Sequence, residues 1–147
     1  MSEPTNLRLE EQLCFALYAA TNAITRAYRP LLGSLGLTYP QYLVLLVLWQ
    51  DGAQTIQAVA NRLRLGSNAI TPLIDRLAEA GLVVRGRSSA DRRVVHVALT
   101  PAGFDLRAAA SAAQEHVSCQ TGLDLAALVR LRADLAEMTA CMEPAAR

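Results

Sequence analysis

Apolar residues recur at helical spacing from the start of the chain: Leu9, Leu13, Ala16, Leu17, Ala20, Ile24, Ala27, Tyr28 and Leu31. Three- and four-residue steps of this kind place side chains on one helix face, so the pattern predicts a long helix over residues 7–33. Pro30 is expected to bend or end it, and Gly33 and Gly36 mark the turn that follows. Thr38 then caps a second helix with Pro40 at an early position, where its missing amide costs little. This helix, roughly 39–50, is apolar on nearly all sides (Leu43, Val44, Leu45, Leu46, Val47, Leu48) and is therefore expected to run through the core.

Two shorter amphipathic segments come next. Thr55 caps one of about 56–63, with Ile56, Val59, Ala60 and Leu63 facing inward. After a tight Arg64-Leu65-Gly66 turn, a second runs over about 68–80 on Ile70, Leu73, Ile74, Leu77 and Ala78, and Gly81 supplies a left-handed C-terminal cap. Pro72 leaves its start open. Either Thr71 is the cap and 67–70 form a tighter lead-in, or Ser67 is the cap and the first turn is irregular. Two short helices around a Gly-containing turn are the helix-turn-helix pattern. Beyond Gly81 the period changes to alternation. Residues 82–87 and 93–99 read as the strands of a hairpin, with Ser88-Ser89-Ala90-Asp91 turning between them.

Thr100-Pro101 opens another helix, alanine-rich and running to about 118. A last one starts near 123, with Leu128, Leu131, Leu135, Met138 and Met142 forming a heptad-like seam that wants a partner helix. The expected fold class is mainly α with a small β-hairpin wing: a winged helix-turn-helix with N- and C-terminal dimerisation helices. The whole chain, 1–147, reads as one domain. Its dimerisation helices lie at about 7–33 and 101–143, and a DNA-binding lobe lies at about 38–99.

Composition narrows the class. The 147 residues are 52% hydrophobic and 18% charged with a net charge of +1, which excludes a disordered chain. The longest apolar run, Tyr42 to Trp49, is far short of the ~20 residues of a membrane helix. Met1 to Leu13 is polar and acidic, unlike a secretion signal, so a cytoplasmic protein is expected. The three cysteines, Cys14, Cys119 and Cys141, are too few and too far apart for a disulfide framework or a zinc site. Charge is distributed unevenly. Residues 62–93 hold seven arginines against three acids, a net of +4, and the rest of the chain carries −3.

That basic segment coincides with the helix-turn-helix and the hairpin, which together form a polyanion-binding pattern. Ser67, Asn68 and Thr71 stand at the N-terminal end of the second helix, from which side chains reach base edges in a major groove. Asparagine suits adenine, and a threonine methyl suits thymine. Arg62, Arg64 and Arg76 are candidates for phosphate contacts, and Arg85 and Arg87 line the hairpin. Arg92 and Arg93 at its tip are placed to enter a minor groove. One such module buries too little surface for tight binding, so a homodimer on a pseudo-palindromic double-stranded site is expected.

The stretch from Ser67 to Val83, the Asp91-Arg92-Arg93 triplet and Leu99-Thr100-Pro101-Ala102-Gly103 resemble the recognition helix, wing motif and following helix of the MarR family, across essentially the whole chain. Three further stretches resemble the organic hydroperoxide resistance regulators within that family, of the two-cysteine type. They are Leu13 to Ala20, Tyr28 to Leu32, and Leu37 to Tyr42. The resemblance implies a repressor that leaves its operator when an organic hydroperoxide oxidises Cys14. It implies that Tyr28 and Tyr39 hydrogen-bond to that thiol across a dimer interface and that Cys119 is the resolving thiol. It also implies that Arg93 enters the minor groove. Residues 65–69 depart from those regulators more than their flanks do, so the resemblance does not carry an operator sequence over.

On its own residues Cys14 has two readings. It is a small hydrophobe on an apolar helix face, or a sensor whose thiolate needs access and a favourable field, against which Glu10 and Glu11 one turn back would act. Cys141 is a reserve partner or a seam residue beside Met138 and Met142. His96 and His116 read as ordinary strand and helix residues, and no metal or cofactor is expected. The rival functions are a repressor released by a small aromatic acid, a thiol peroxidase, and a protein-interaction module. No base or cation near Cys14 supports the peroxidase, and the basic segment opposes the interaction module.

Overall fold

Two short 3-10 turns, Thr5–Leu7 and Leu9–Glu11, precede the first α-helix in the computed structural model, which describes residues 4–143. Helix α1, Leu13–Gly33, therefore begins later than the apolar spacing predicts. The cause is Gln12. Its side-chain amide donates to the carbonyls of Asn6 (2.6 Å) and Arg8 (2.9 Å) and ties the preceding backbone into turns. Pro30 lies inside α1, which runs on past it.

Thr38 and Gln41 form a reciprocal capping box at the start of α2, Tyr39–Asp51. The Gln41 amide nitrogen reaches the Thr38 hydroxyl at 3.4 Å, and Gln41 Oε1 accepts from the Thr38 amide at 3.0 Å. This satisfies the one buried polar side chain among the described residues. As its composition predicts, α2 is the central helix, with Val44, Leu45, Val47 and Leu48 buried. Around it lie α3 (Ile56–Leu63, capped by Thr55), α4 (Ser67–Glu79) and the hairpin of β2 (Val83–Arg87) and β3 (Val95–Leu99). Val59, Ile70, Ile74, Leu77, Val83 and Val97 complete the core. A two-residue strand, β1 (Gln54–Thr55), pairs antiparallel with β3, giving the sheet order β1-β3-β2.

Helix α5, Pro101–Asp105, starts at a congested junction. Thr100 caps Gly103 (3.1 Å), and its own hydroxyl donates to the Gly81 carbonyl (2.6 Å). Trp49 Nε1 donates to the Gly103 carbonyl at 3.0 Å. A β-carbon on Gly103 would lie 2.1 Å from the backbone oxygen of Leu82, a contact that no side-chain rotation relieves. Gly103→Ala is therefore expected to cost about 3 kcal/mol of stability, at the upper end of overpacking effects. Urea unfolding followed by the fluorescence of Trp49, the single tryptophan, reads this directly. An unchanged midpoint would contradict it.

By contact density the chain resolves into two compact units, one up to Ala113 and one from Gln114, with α6 (Arg107–Gln120) crossing from the first into the second. In the second unit Asp124 caps α7, Leu125–Met142, by accepting from the Ala127 amide at 2.8 Å. No residue of this 18-residue helix is buried.

Candidate nucleic-acid interface and reactive thiol

Helix α4 is anchored by Ile70, Ile74 and Leu77, all fully buried, and its other side carries Ser67, Asn68, Thr71 and Arg76 in solvent. Neither Ser67 nor Thr71 is the cap, which corrects both readings of this start. Gly66 holds the N-cap position in extended conformation (φ −74°), and no side chain bonds there. Thr71 instead donates its hydroxyl to the Ser67 carbonyl at 3.0 Å. The helix continues past Pro72, whose missing amide leaves the Asn68 carbonyl without its usual donor. The Asn68 side chain has no partner among the described residues. The left-handed turn residue between α3 and α4 is Arg64 (φ 56°), not Gly66. Gly81 does cap α4 (φ 76°), with the Leu82 amide reaching back to the Leu77 carbonyl at 3.0 Å.

The wing is an ordered hairpin. Val83 pairs with Leu99 and Arg87 with Val95 across β2 and β3. In the connecting turn the Ser88 hydroxyl accepts from the amides of Ala90 (3.2 Å) and Asp91 (3.4 Å). The Asp91 carboxylate accepts from the Arg93 amide (3.0 Å) and guanidinium (3.2 Å). That Arg93 contact holds the Asp91 carboxyl below the usual carboxylate range. Arg93 is thus ion-paired with Asp91 through its Nε and a terminal nitrogen (3.3 Å), yet its side chain remains 91% exposed. Arg92 and Arg76 have no side-chain partner among the described residues. Others of the expected cations are engaged within the chain. Arg62 pairs with Asp51 at 3.1 Å, Arg85 pairs with Asp75, and Arg87 donates to the Arg92 carbonyl at 2.6 Å.

Between wing, α3 and α4 lies an open cleft of about 470 Å³, lined by Thr55, Gln57, Thr71, Arg85, Arg93 and Val95. Gln57 carries no mark in the sequence of belonging to this cleft. The pairing of β1 with β3 sets Thr55 beside the wing, and Gln57 follows it on the first turn of α3.

Cys14, Cys119 and Cys141 are all free and exposed. Because α1 starts at Leu13, Cys14 is its second residue and not two turns in as expected, beside first-turn amides that lack helical acceptors. Tyr28 and Tyr39 do come together, with ring centroids 5.5 Å apart, in a cluster with Tyr42 (5.2 Å from Tyr28) and Trp49. The role of Tyr42 was not seen in the sequence. Tyr28 is buried, whereas Tyr39 opens onto a second cleft of about 470 Å³ lined by Thr25, Arg29, Gly33, Leu37 and Thr38. Along α1, Cys14 and Tyr28 are fourteen residues and hence about 21 Å apart, so within one chain the tyrosine cluster lies far from this thiol.

Burial, and then its hydrogen bond with Tyr28, raise the pKa of Tyr42 above the ordinary 10.0. Burial likewise raises that of Tyr39. Both phenols thus remain proton donors at neutral pH. A phenol raised in the folded state contributes stability that is complete below the unfolded value and is lost as pH rises through the native one. The thermal midpoint is therefore expected to hold steady to about pH 9 and to fall above about pH 10, with Tyr42→Phe showing the shallower decline. A pH series of melting curves checks this, and equal declines would remove Tyr42 as the cause.

Residues 37–95 match the family model of the MarR family. The chain is 44% identical over 130 residues to the HTH-type transcriptional regulator TtmR of Methylorubrum extorquens, covering 88% of this chain and 67% of that protein. It is 43% identical over 102 residues to the organic hydroperoxide resistance transcriptional regulator of Bacillus subtilis, covering 69% of each. Among solved structures, overoxidized AbfR bound to DNA superimposes with a TM-score of 0.76 at 32% identity, over 94% of this chain and 97% of that one. Disulfide-formed AbfR superimposes at 0.63 and 33%, over 93% and 91%.

Proposed function

This chain belongs to the MarR family of transcriptional regulators, and from that membership we propose that it is a homodimeric repressor which leaves a pseudo-palindromic operator when an organic hydroperoxide oxidises Cys14. The observation that carries the reading is an exposed thiol on the first turn of α1 in a chain 43% identical to a hydroperoxide regulator. Ser67, Asn68 and Thr71 read bases from the start of α4, and Arg76 holds phosphate. Arg87, Arg92 and Arg93 follow the backbone from the wing, with Arg93 in the minor groove. No helix among the described residues is long and apolar enough to cross a membrane, in keeping with a cytoplasmic regulator.

The chemistry is that of the thiol oxidation ladder. The Cys14 thiolate attacks the hydroxyl oxygen of the peroxide, the O–O bond breaks, and the alkoxide leaves and takes a proton from solvent to become the alcohol. Cys14 becomes a sulfenic acid. The Cys119 thiol of the second copy then attacks that sulfur and expels water, forming a disulfide; Cys141 is the reserve. Tyr28 and Tyr39 of the second copy donate hydrogen bonds to the thiolate, since the length of α1 keeps the protomer's own pair away. The disulfide is read as the releasing form because AbfR was solved bound to DNA while overoxidized. Binding of the reduced protein to duplex DNA from upstream of its own gene, followed by fluorescence anisotropy, is the test. One equivalent of cumene hydroperoxide should release the DNA, and indifference to it would overturn the redox reading.

The cleft beside Tyr39 favours one second reading. Its volume suits a small ligand, and Arg29 supplies a carboxylate partner, so an aromatic acid would be the inducer. Release of DNA from Cys14→Ser by such an acid, with no response to peroxide in the unaltered protein, would select it.

A further inference from the structure

The wing arginines are not equivalent. Successive side chains of a strand alternate between its faces, so Val83, Arg85 and Arg87 share one side of β2. Val83 on that side is only 2% exposed and sits in the core. Arg85, on the same side but exposed, reaches across to α4, where its guanidinium meets the Asp75 carboxylate. Asp75 lies one helical turn beyond Thr71 and two beyond Asn68, so it belongs to the same exposed side of the recognition helix. A bare carboxylate on that side would repel phosphates.

We propose that Arg85 is a positioning residue: paired with Asp75, it sets the wing against the recognition helix and is not one of the cations that hold phosphate. Val83 anchors the strand's start, the ion pair fixes its middle, and Arg87 fastens its end to the Arg92 carbonyl. The tip that carries Arg92 and Arg93 is then held at a set distance from Ser67, Asn68 and Thr71. The consequence for binding rests on the DNA-binding reading; the clamp itself does not.

Four proteins test it: the unaltered chain, Arg85→Ala, Asp75→Asn and the double variant. The pair is half-exposed, so all four are expected to fold with similar melting midpoints. Operator affinity is measured across a salt series. For the clamp, each single variant weakens binding about threefold to tenfold, the double is no weaker than the worse single, and the salt slope is unchanged. Asp75→Asn is the sharpest case, because removing a carboxylate from a surface that faces DNA should otherwise strengthen binding. A slope smaller by about 0.9 per lost contact in Arg85→Ala, with tighter binding by Asp75→Asn, would make Arg85 a phosphate ligand and overturn the proposal. So would unchanged affinity in both singles. Amide hydrogen exchange of residues 84–94 without DNA gives a second readout. The clamp requires faster exchange in both singles, and unaltered exchange overturns it whether or not any DNA is bound.

Discussion

Cys14→Ser is expected to bind operator DNA as tightly as the unaltered protein and to lose its response to organic hydroperoxide entirely. The serine preserves the shape of an exposed side chain at the second position of α1, so neither the fold nor the DNA-binding lobe is disturbed. An alcohol does not attack the peroxide bond, so no sulfenic acid forms. In the unaltered protein the same peroxide should lower affinity by at least about tenfold, a change that anisotropy reads without difficulty. Cys119→Ser separates the two chemical steps. It should still consume peroxide, shown by a mass gain of one or more oxygens, while retaining most of its DNA. A Cys119→Ser protein that releases DNA as fully and reversibly as the parent would eliminate the disulfide step and leave the sulfenic acid as the signal. Full response in Cys14→Ser would eliminate the sensor itself.

The helices were legible because their signals are local. Thr38, Thr55 and Thr100 cap the helices they were expected to cap, and Gly81 ends α4 as its position implied. The wing followed from a change of period. What stayed hidden depends on contacts distant in sequence or on competing local bonds. Strand β1 is two residues long and exists only through its pairing with His96 and Val97. The start of α1 was misplaced because apolar spacing continues through Leu9, while Gln12 ties the backbone into turns that spacing does not register. The difference matters to function, since it moves Cys14 from about two turns into the helix to the first turn. Asp75 and Arg85, ten residues apart on different elements, carry no mark in sequence of their pairing. Position on an element was readable, but the partner of a charged side chain was not. Several arginines counted as DNA contacts by residue type are engaged within the chain.

Disruption of the α7 seam should abolish operator binding at concentrations where the unaltered protein is saturated. Leu128, Leu135 and Met138 are only half-buried, and Leu125, Val129, Leu131 and Met142 are exposed, 78% and 74% at the two ends of that set. Leu7, Leu9, Leu13, Phe15 and Tyr18 near the other terminus are exposed as well. An 18-residue helix with no fully buried residue offsets little of the entropy of ordering its side chains, and the heptad-like spacing of Leu128, Leu131, Leu135 and Met138 suits a second copy. Leu128→Lys with Leu135→Lys puts like charges on the seam of both copies. Sedimentation should then show a monomer of about 16 kDa. Binding by one half-site at a time loses the avidity of a linked pair, a fall of about 100-fold or more. The lobe of residues 38–99 should retain its weak, salt-dependent attraction to any duplex, because its own cations are untouched. A variant that remains dimeric, or a monomer with undiminished operator affinity, would show that the seam serves another contact. It would also show that the recognition helices do not depend on pairing for their grip on DNA.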